Sequence, residues 1–499
     1  MPYKYTENKS LQYADSGSPL VDFYKNAPTL RDFTLENRSD IVHEFIKAYG
    51  EDPELAIKLL FWLRDPRSGQ GEKASGRKLL AYLYNLDSTH KLIVDNLDKI
   101  VEYGSYKDIS FIFRNTEMKD EITTFMADKV KSADRLACKW APRLDSKNDE
   151  FAVAVRDRLG MTNKEYRKWL KDNSETVEQV MAQNAWGDIE YTKIPSVAMK
   201  RYSKAFDKHD AQRFDEFKND KTQKVNASVL YPHEVVNHLR IDEKLAEKFW
   251  ENLPNYVKEG EIILPIIDVS GSMTVYGVMH IAIALGLYLA ERMSGQFKNK
   301  FITFNNNPRM MDISKIKGLK NRMEFIERTP CGGGTNFEAS YRLILEAAVM
   351  FKIPKEQMPT MLVCFSDMQF DEAIRYGKGN LQLDSMKKMF EDAGYDLPKI
   401  VFWDLRAKKE DNRGSHAQHD TKGVALVAGF SPTILKAVLA CEDIPEFTPY
   451  EIMLQSIDYV EFESDTTTLP LTINYVERID KEIKFDDVKI NRLNYFDRE

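Results

Sequence analysis

The sequence predicts an α plus α/β protein, with an all-helical N-terminal half as a HEAT-like or irregular solenoid and a doubly wound parallel sheet C-terminal to it. Three observations carry this. Apolar residues recur at i, i+3, i+4 and i+7 through IVHEFIKAYG (41–50), PELAIKLLFWLRD (53–65), GRKLLAYLYNLD (76–87) and HKLIVDNLDKIVEYG (90–104), the period of helices with one buried face. Near residue 260 the pattern changes to short, almost continuous apolar runs separated by helical ones, the signature of parallel strands covered on both faces. Cys138, Cys331, Cys364 and Cys441 are scattered, with no CxxC pair, so buried apolar surface, not a disulfide framework or zinc ribbon, organises the chain.

The helical segments run 10–16 residues, joined by short polar links holding Asp, Pro or Gly. Without a strict repeat, each helix pair buries its apolar face only against its neighbours, as in a solenoid. In the second half, EIILPIIDVS (261–270), KFITF (300–304), PTMLVCFSD (359–367), PKIVFWDLR (398–406) and KGVALVAG (422–429) read as strands. The stretches 274–295, 321–329, 336–351, 385–394 and 431–442 read as helices. The expected domains are 1–258 (helical), 259–445 (sheet) and 446–499, a C-terminal appendage that alternates over 459–479 and returns to the helical half.

The 499 residues carry 71 Lys+Arg against 78 Asp+Glu, a net charge of −7. Residues 1–250 balance at 41 and 41, and residues 251–499 carry 30 against 37, the whole excess. A nucleic-acid footprint is therefore sought locally. No apolar run approaches the ~20 residues of a membrane span, and the start lacks an apolar signal core, so the expectation is a cytoplasmic protein with no membrane contact, monomeric rather than oligomeric.

Asp268, Ser270 and Ser272 form D-x-S-x-S directly after the strand IILPII, Thr335 sits in the loop CGGGTNF, and Asp367 ends the strand TMLVCFS. Ligands of such sheets bind beyond the carboxyl ends of the strands. Two carboxylates and three hydroxyls, with no His or Cys, are hard oxygen donors that suit Mg²⁺, with Mn²⁺ or Ca²⁺ as alternatives, and not Zn²⁺. So few carboxylates leave such an ion able to take one more anionic ligand, such as a partner's carboxylate. His416 and His419 make an HxxH pair with too few companions for zinc, and no Walker loop, nucleophile elbow or Cys-His arrangement is present.

DVSGSM, the GGGT loop and the FSD strand end resemble the metal-ion-dependent adhesion site (MIDAS) of a von Willebrand factor A domain over about residues 259–445. The resemblance implies that the two serines and the threonine coordinate metal directly or through water while the aspartates coordinate it or orient waters. WLRDPRSGQGEKASGRKLL (62–80) and YGSYKDI (103–109) resemble the TROVE module, the ring-like helical domain of the Ro autoantigen, which implies a HEAT-like ring as the alternative to an open solenoid. TENKSLQYADSGSPLVDFY (6–24), IPSVAMKRYSKAFDKHDAQRF (194–214) and LYPHEVV (230–236) are more similar still to a family of unknown function in plants and large DNA viruses, which joins a helical half to an adhesion-type domain.

These resemblances imply a non-catalytic, ribonucleoprotein-type protein that binds RNA in its helical half and a protein carboxylate at its metal. Candidate phosphate contacts are Arg64, Arg67, Lys73 and Arg77, and Lys200, Arg201, Lys204, Lys208 and Arg213 from the most basic stretch, 193–224. Two plainer readings stand beside them. Arg64, Asp65, Arg67 and Glu72 form an ion-pair network locking two helices, and 193–224 is a solvated amphipathic helix with its aromatics, Tyr202, Phe206 and Phe214, in the core. At the level of function the alternatives are a protein–protein scaffold without nucleic acid and a metal-dependent hydrolase. The latter is disfavoured because the visible carboxylates are committed to the metal.

Overall fold

The computed structural model describes residues 3–5, 11–29, 40–275, 277–304, 307–329, 337–368, 383–406, 415–440 and 447–463. They form an α plus α/β protein of two compact units, one from residues 3–29 and 224–458, the other from 40–223 and 459–463.

The helical unit is a succession of helices from Asp40–Glu51 to Ala211–Asn219. Their starts are written locally. Asp52 Oδ1 accepts from Leu55 N at 3.0 Å ahead of Pro53. Thr162 and Glu165 form a reciprocal capping box, Thr162 N donating to Glu165 Oε2 at 2.8 Å. Such caps satisfy the first-turn N–H groups that no helical carbonyl reaches.

The sheet unit holds β1 (Tyr3–Tyr5) and β2 (Leu11–Tyr13), an antiparallel pair. Its six-stranded sheet is made of β3 (Ile263–Asp268), β4 (Lys300–Phe304), β5 (Met310–Asp312), β6 (Met361–Ser366), β7 (Lys399–Asp404) and β8 (Val424–Ala428), in the order β5-β4-β3-β6-β7-β8. All neighbours are parallel except β5, an antiparallel edge on β4. Every residue of β3 and β6 is buried, as the unbroken apolar runs require. Pro265 sits in a central strand where a missing N–H is normally costly. The β4 ladder begins only at Ile266, so β3 is one-sided at the proline. Helix Met279–Arg292 packs on β3 so closely that a Cβ on Gly286 would strike the side chain of Ile267.

The unit boundary differs from the expected 258. Helices Pro232–His238 and Glu243–Glu251 pack on helices Met279–Arg292 and Leu319–Glu327 of the sheet unit, and Trp250 Nε1 donates to Glu291 Oε2 at 2.7 Å. Helix Pro19–Asn26 packs on β8, where Tyr24 Oη and Ser456 Oγ lie 2.8 Å apart. Helical periodicity does not reveal which core a helix serves. In the expected appendage, Pro449–Ile457 is a helix of the sheet unit, with Thr448 Oγ1 capping Glu451 N. Residues 459–463 belong to the helical unit: Tyr459 Oη donates to Asp65 Oδ2 at 2.9 Å, and Asn96 Nδ2 to the Glu463 carbonyl at 2.7 Å. The rest of the 459–479 alternation lies outside the described residues. Among the described residues, no helix is long and apolar enough to cross a membrane.

Candidate metal centre and basic cluster

After β3 the chain runs outward to β4, and the later strands β6, β7 and β8 stack on the other side of β3. The β3–β6 junction is thus the switch point of the sheet, the place beyond the carboxyl strand ends where ligands of such sheets bind. The parallel register pairs Ile267 with Phe365, which brings Asp268 beside Ser366 with Asp367 following. Ser366 Oγ donates to Asp268 Oδ2 at 2.6 Å. Asp268 Oδ1 accepts from Ser270 N at 2.9 Å, folding the chain into an Asx turn, and Ser270 Oγ and Ser272 Oγ lie 3.0 Å apart. Asp268 and Asp367 are each 1% exposed.

Burial and the Asp367 carboxylate raise the Asp268 carboxyl to about 6, while bonds from Ser366 and Ser270 oppose the rise. Burial, then both aspartates, push the Cys364 thiol well up. Two buried carboxylates thus share a negative field, and among the described residues no lysine or arginine pairs with Asp268. That donor set fits a hard divalent cation. Thr335 lies outside the described residues, as do Cys331 and Cys441. No three His, Cys, Asp or Glu side chains gather into a metal cluster among the described residues; the set at the switch point is two carboxylates with hydroxyls. Ser366 is the member the sequence reading omitted, although FSD displays it.

His416 and His419 do not converge on a common point. His416 Nε2 meets the Met368 carbonyl at 3.1 Å, and His419 Nδ1 meets the Ser16 carbonyl at 3.1 Å.

In the helical unit, the two segments 62–80 and 103–109 meet at Asp108, which is fully buried. Its Oδ2 accepts from Arg64 Nη2 at 2.7 Å and from Ser105 N at 2.8 Å; its Oδ1 accepts from Arg77 Nε. Burial alone would raise this carboxyl, but the two guanidiniums hold it below its ordinary value. The expected network is therefore corrected: Arg64 pairs with Asp108, not with Asp65 or Glu72. Asp65 instead caps its own turn, accepting from Arg67 N at 2.8 Å and Ser68 N at 3.1 Å. Arg64, 3% exposed, is withdrawn from any phosphate.

Arg213 is also engaged, bonding Asp210 Oδ2 at 3.0 Å and the Trp186 and Ile189 carbonyls. Phe206 and Phe214 are buried around Tyr191, so neither can stack on a base, whereas Tyr202, expected in the core with them, is only half-buried and donates its hydroxyl to Glu178 Oε1 at 3.0 Å. Arg67 is exposed and donates to the Glu102 carbonyl at 2.7 Å. Lys204 and Lys208 are exposed and Lys200 half-buried.

Lys73, Arg77 and Arg201 all act electrostatically on one further cation, a residue not singled out from the sequence. Burial, then Arg77, Arg201 and Lys73, lower the Lys107 ammonium. Lys107 Nζ lies 4.2 Å from the centre of the Trp140 ring, and Lys139 Nζ lies 5.4 Å from it. Burial and Arg77 likewise depress Arg114. Lys107 and Trp140 were missed because no local run of charge marks them; helices Lys73–Tyr84, Tyr106–Arg114, Arg135–Trp140 and Ser196–His209 each supply members of the cluster.

Compared with known proteins, residues 263–473 match the model of a domain of unknown function, DUF7788. Uncharacterized protein L728 of Acanthamoeba polyphaga mimivirus is 27% identical over 514 residues, covering 91% of this chain and 87% of that protein. A second domain of unknown function, DUF2828, matches residues 6–133 and 113–260. Those matches together span just over half of the 499 residues, and the chain belongs to the DUF2828 family.

Proposed function

We propose that the protein is a non-catalytic binding protein whose sheet unit is a von Willebrand factor A-like domain that captures an acidic group of a protein partner through a divalent cation, Mg²⁺ foremost. One observation carries the reading: two buried carboxylates, Asp268 and Asp367, stand with Ser270, Ser272 and Ser366 at the switch point of a parallel sheet. Asp268, Ser270, Ser272 and Asp367, with Thr335, would hold the ion. Bound there, the cation supplies an open coordination position for a carboxylate. Ser366 orients Asp268, and the Asx turn at Ser270 sets the two hydroxyls side by side. No residue in this set is free to act as a general base, which favours binding over hydrolysis. The test is isothermal titration with Mg²⁺ and Mn²⁺, followed by partner pull-down in Mg²⁺ or EDTA. Saturable binding lost in Asp268→Ala supports the reading, and wild type that ignores both ions overturns it.

A second reading concerns the helical unit. The convergence of Lys73, Arg77, Lys107 and Arg201 beside Trp140 favours a phosphate-rich ligand, with single-stranded RNA as the proposed one, in a TROVE-like module. RNA gel shifts across a salt series distinguish this from a scaffold without nucleic acid. Contact with several phosphates makes log affinity fall linearly and steeply with log salt; absence of any shift favours the scaffold.

A further inference from the structure

The residue after Asp367 is conformationally unusual. Met368 has φ of 58°, a left-handed backbone that a non-glycine residue occupies only at a cost. It is 2% exposed, so its polar backbone groups need internal partners. Two side chains supply them. Met368 N donates to Ser366 Oγ at 3.1 Å, the same hydroxyl that donates to Asp268 Oδ2. The Met368 carbonyl can only accept, so His416 Nε2 carries its hydrogen and donates at 3.1 Å.

His416 is itself held. Ser415 and Tyr13 exchange two backbone hydrogen bonds, of 2.9 and 3.0 Å, and His419 N donates to the Ser16 carbonyl at 2.8 Å. The end of β2 and the residues just after it therefore strap 415–419 in place. The imidazole also lies against Phe402, ring centres 5.9 Å apart.

Resting on the metal-site reading above, we infer that His416 is a positioning residue of that site. Its Nε2–H holds the strained Met368 turn, which aims Asp367 and completes the Ser366–Asp268 hydrogen bond. Partners one layer behind metal ligands fix ligand orientation, and their removal typically costs about 10–100-fold in metal affinity. His416 does this through a backbone carbonyl and never touches the ion.

The test is Mn²⁺ binding by electron paramagnetic resonance on the full chain, with metal-free thermal melts beside it. The variants are His416→Gln, His416→Asn, His416→Phe and Asp268→Ala. A glutamine amide reaches the Nε2 position, an asparagine amide only the Nδ1 position, and phenylalanine fills the space without a donor. The expected result is near-wild-type affinity in H416Q and about 10-fold weaker binding in H416N and H416F, with metal-free melting little changed. Wild-type affinity in H416N and H416F, with binding lost in D268A, overturns the role of His416 alone. Loss of cooperative metal-free unfolding in H416N and H416F also overturns it, because the residue is then structural. Wild type that binds no Mn²⁺ overturns this inference and the metal reading together.

Discussion

Ser366 Oγ donates to Asp268 Oδ2 at 2.6 Å across the junction of β3 and β6. The hydroxyl links two strands that are almost a hundred residues apart in sequence, at the point where the winding of the sheet reverses. It also fixes one carboxylate oxygen while the other is held by Ser270 N.

Asp268→Asn separates the chemical from the structural role of this carboxylate. An amide keeps the shape and removes one of two buried like charges, but its NH2 cannot accept, so it gives up one of the two bonds from Ser366 Oγ and Ser270 N, which offsets part of the gain. Metal-free stability is expected to rise by about 1–2 kcal/mol, as when uncompensated buried charge is removed, while Mg²⁺ affinity collapses. Urea unfolding and titration calorimetry on the same sample check both; a destabilised D268N would show that the pair is neutralised by something other than a cation.

Asp108 is expected to be the most sensitive charged residue of the helical unit. Asp108→Ala leaves Arg64 and Arg77 facing each other without their shared anion and removes the cap on Ser105 N. Breaking a buried pair from one side costs about 3–5 kcal/mol. The shift in urea midpoint measures it, and a loss under 1 kcal/mol, the ~0–1 kcal/mol scale of exposed pairs, would contradict the burial.

His280 sets an acid limit. Burial lowers its imidazole to about 4 from the usual 6.5, with Arg240 adding and the Gly277 backbone opposing. Above pH 6.5 the ring is neutral folded and unfolded, so it has no effect. Between 6.5 and about 4 the unfolded chain takes up a proton that the folded one refuses, so stability falls as pH falls. The His280 contribution lost by pH 4 is up to about 3 kcal/mol. Asp268 acts oppositely between its unfolded value and about 6, so the measurement is the gap between wild type and His280→Phe in melts from pH 4 to 7, which should change across that window.

Gly286→Ala is expected to destabilise the sheet unit by about 1–3 kcal/mol, because the added methyl meets Ile267 in a filled core. Ile267→Val in the same chain should recover part of the loss, and calorimetric melting of the single and double variants checks it.

For the RNA reading, Lys107→Ala combined with Arg201→Ala should lower the salt slope of binding by about 2, one for each phosphate no longer neutralised. Arg77 is unsuitable for this test because it also holds Asp108. An unchanged slope would move the interface elsewhere.

The sequence displays what is encoded within a few residues. The continuous apolar runs of β3 and β6 announce buried parallel strands, and D-x-S-x-S announces its own turn, since Asp268 bonds the backbone two residues on. Edge strand β5 is only three residues of MMD with little burial, too short to carry a period, and only its pairing with β4 defines it. The Asp108 partnership was hidden for a different reason. Arg64, Asp65, Arg67 and Glu72 are neighbours in the chain, and local opposite charges suggest mutual pairing. The turn after Arg64 instead directs Asp65 to its own backbone and buries Arg64 against a helix some 40 residues on. Likewise, Lys107 stands alone in sequence and becomes part of a basic cluster only through residues of four helices. Proximity of that kind is a product of tertiary packing, and charge runs cannot reveal it.

The interleaving of the chain between its two units has a genetic consequence. The sheet unit uses residues 3–29 as well as 224–458, and the helical unit takes 459–463 after the sheet is complete. Neither unit is therefore one uninterrupted stretch of coding sequence. A gene segment ending near residue 223 would lack the strand of chain that meets Tyr103 and Asn96; one beginning near 224 would lack the helix that packs on β8. Shuffling, duplication or loss of either half by a single recombination event would leave an open core. The two units are thereby constrained to be inherited together, whatever each of them binds.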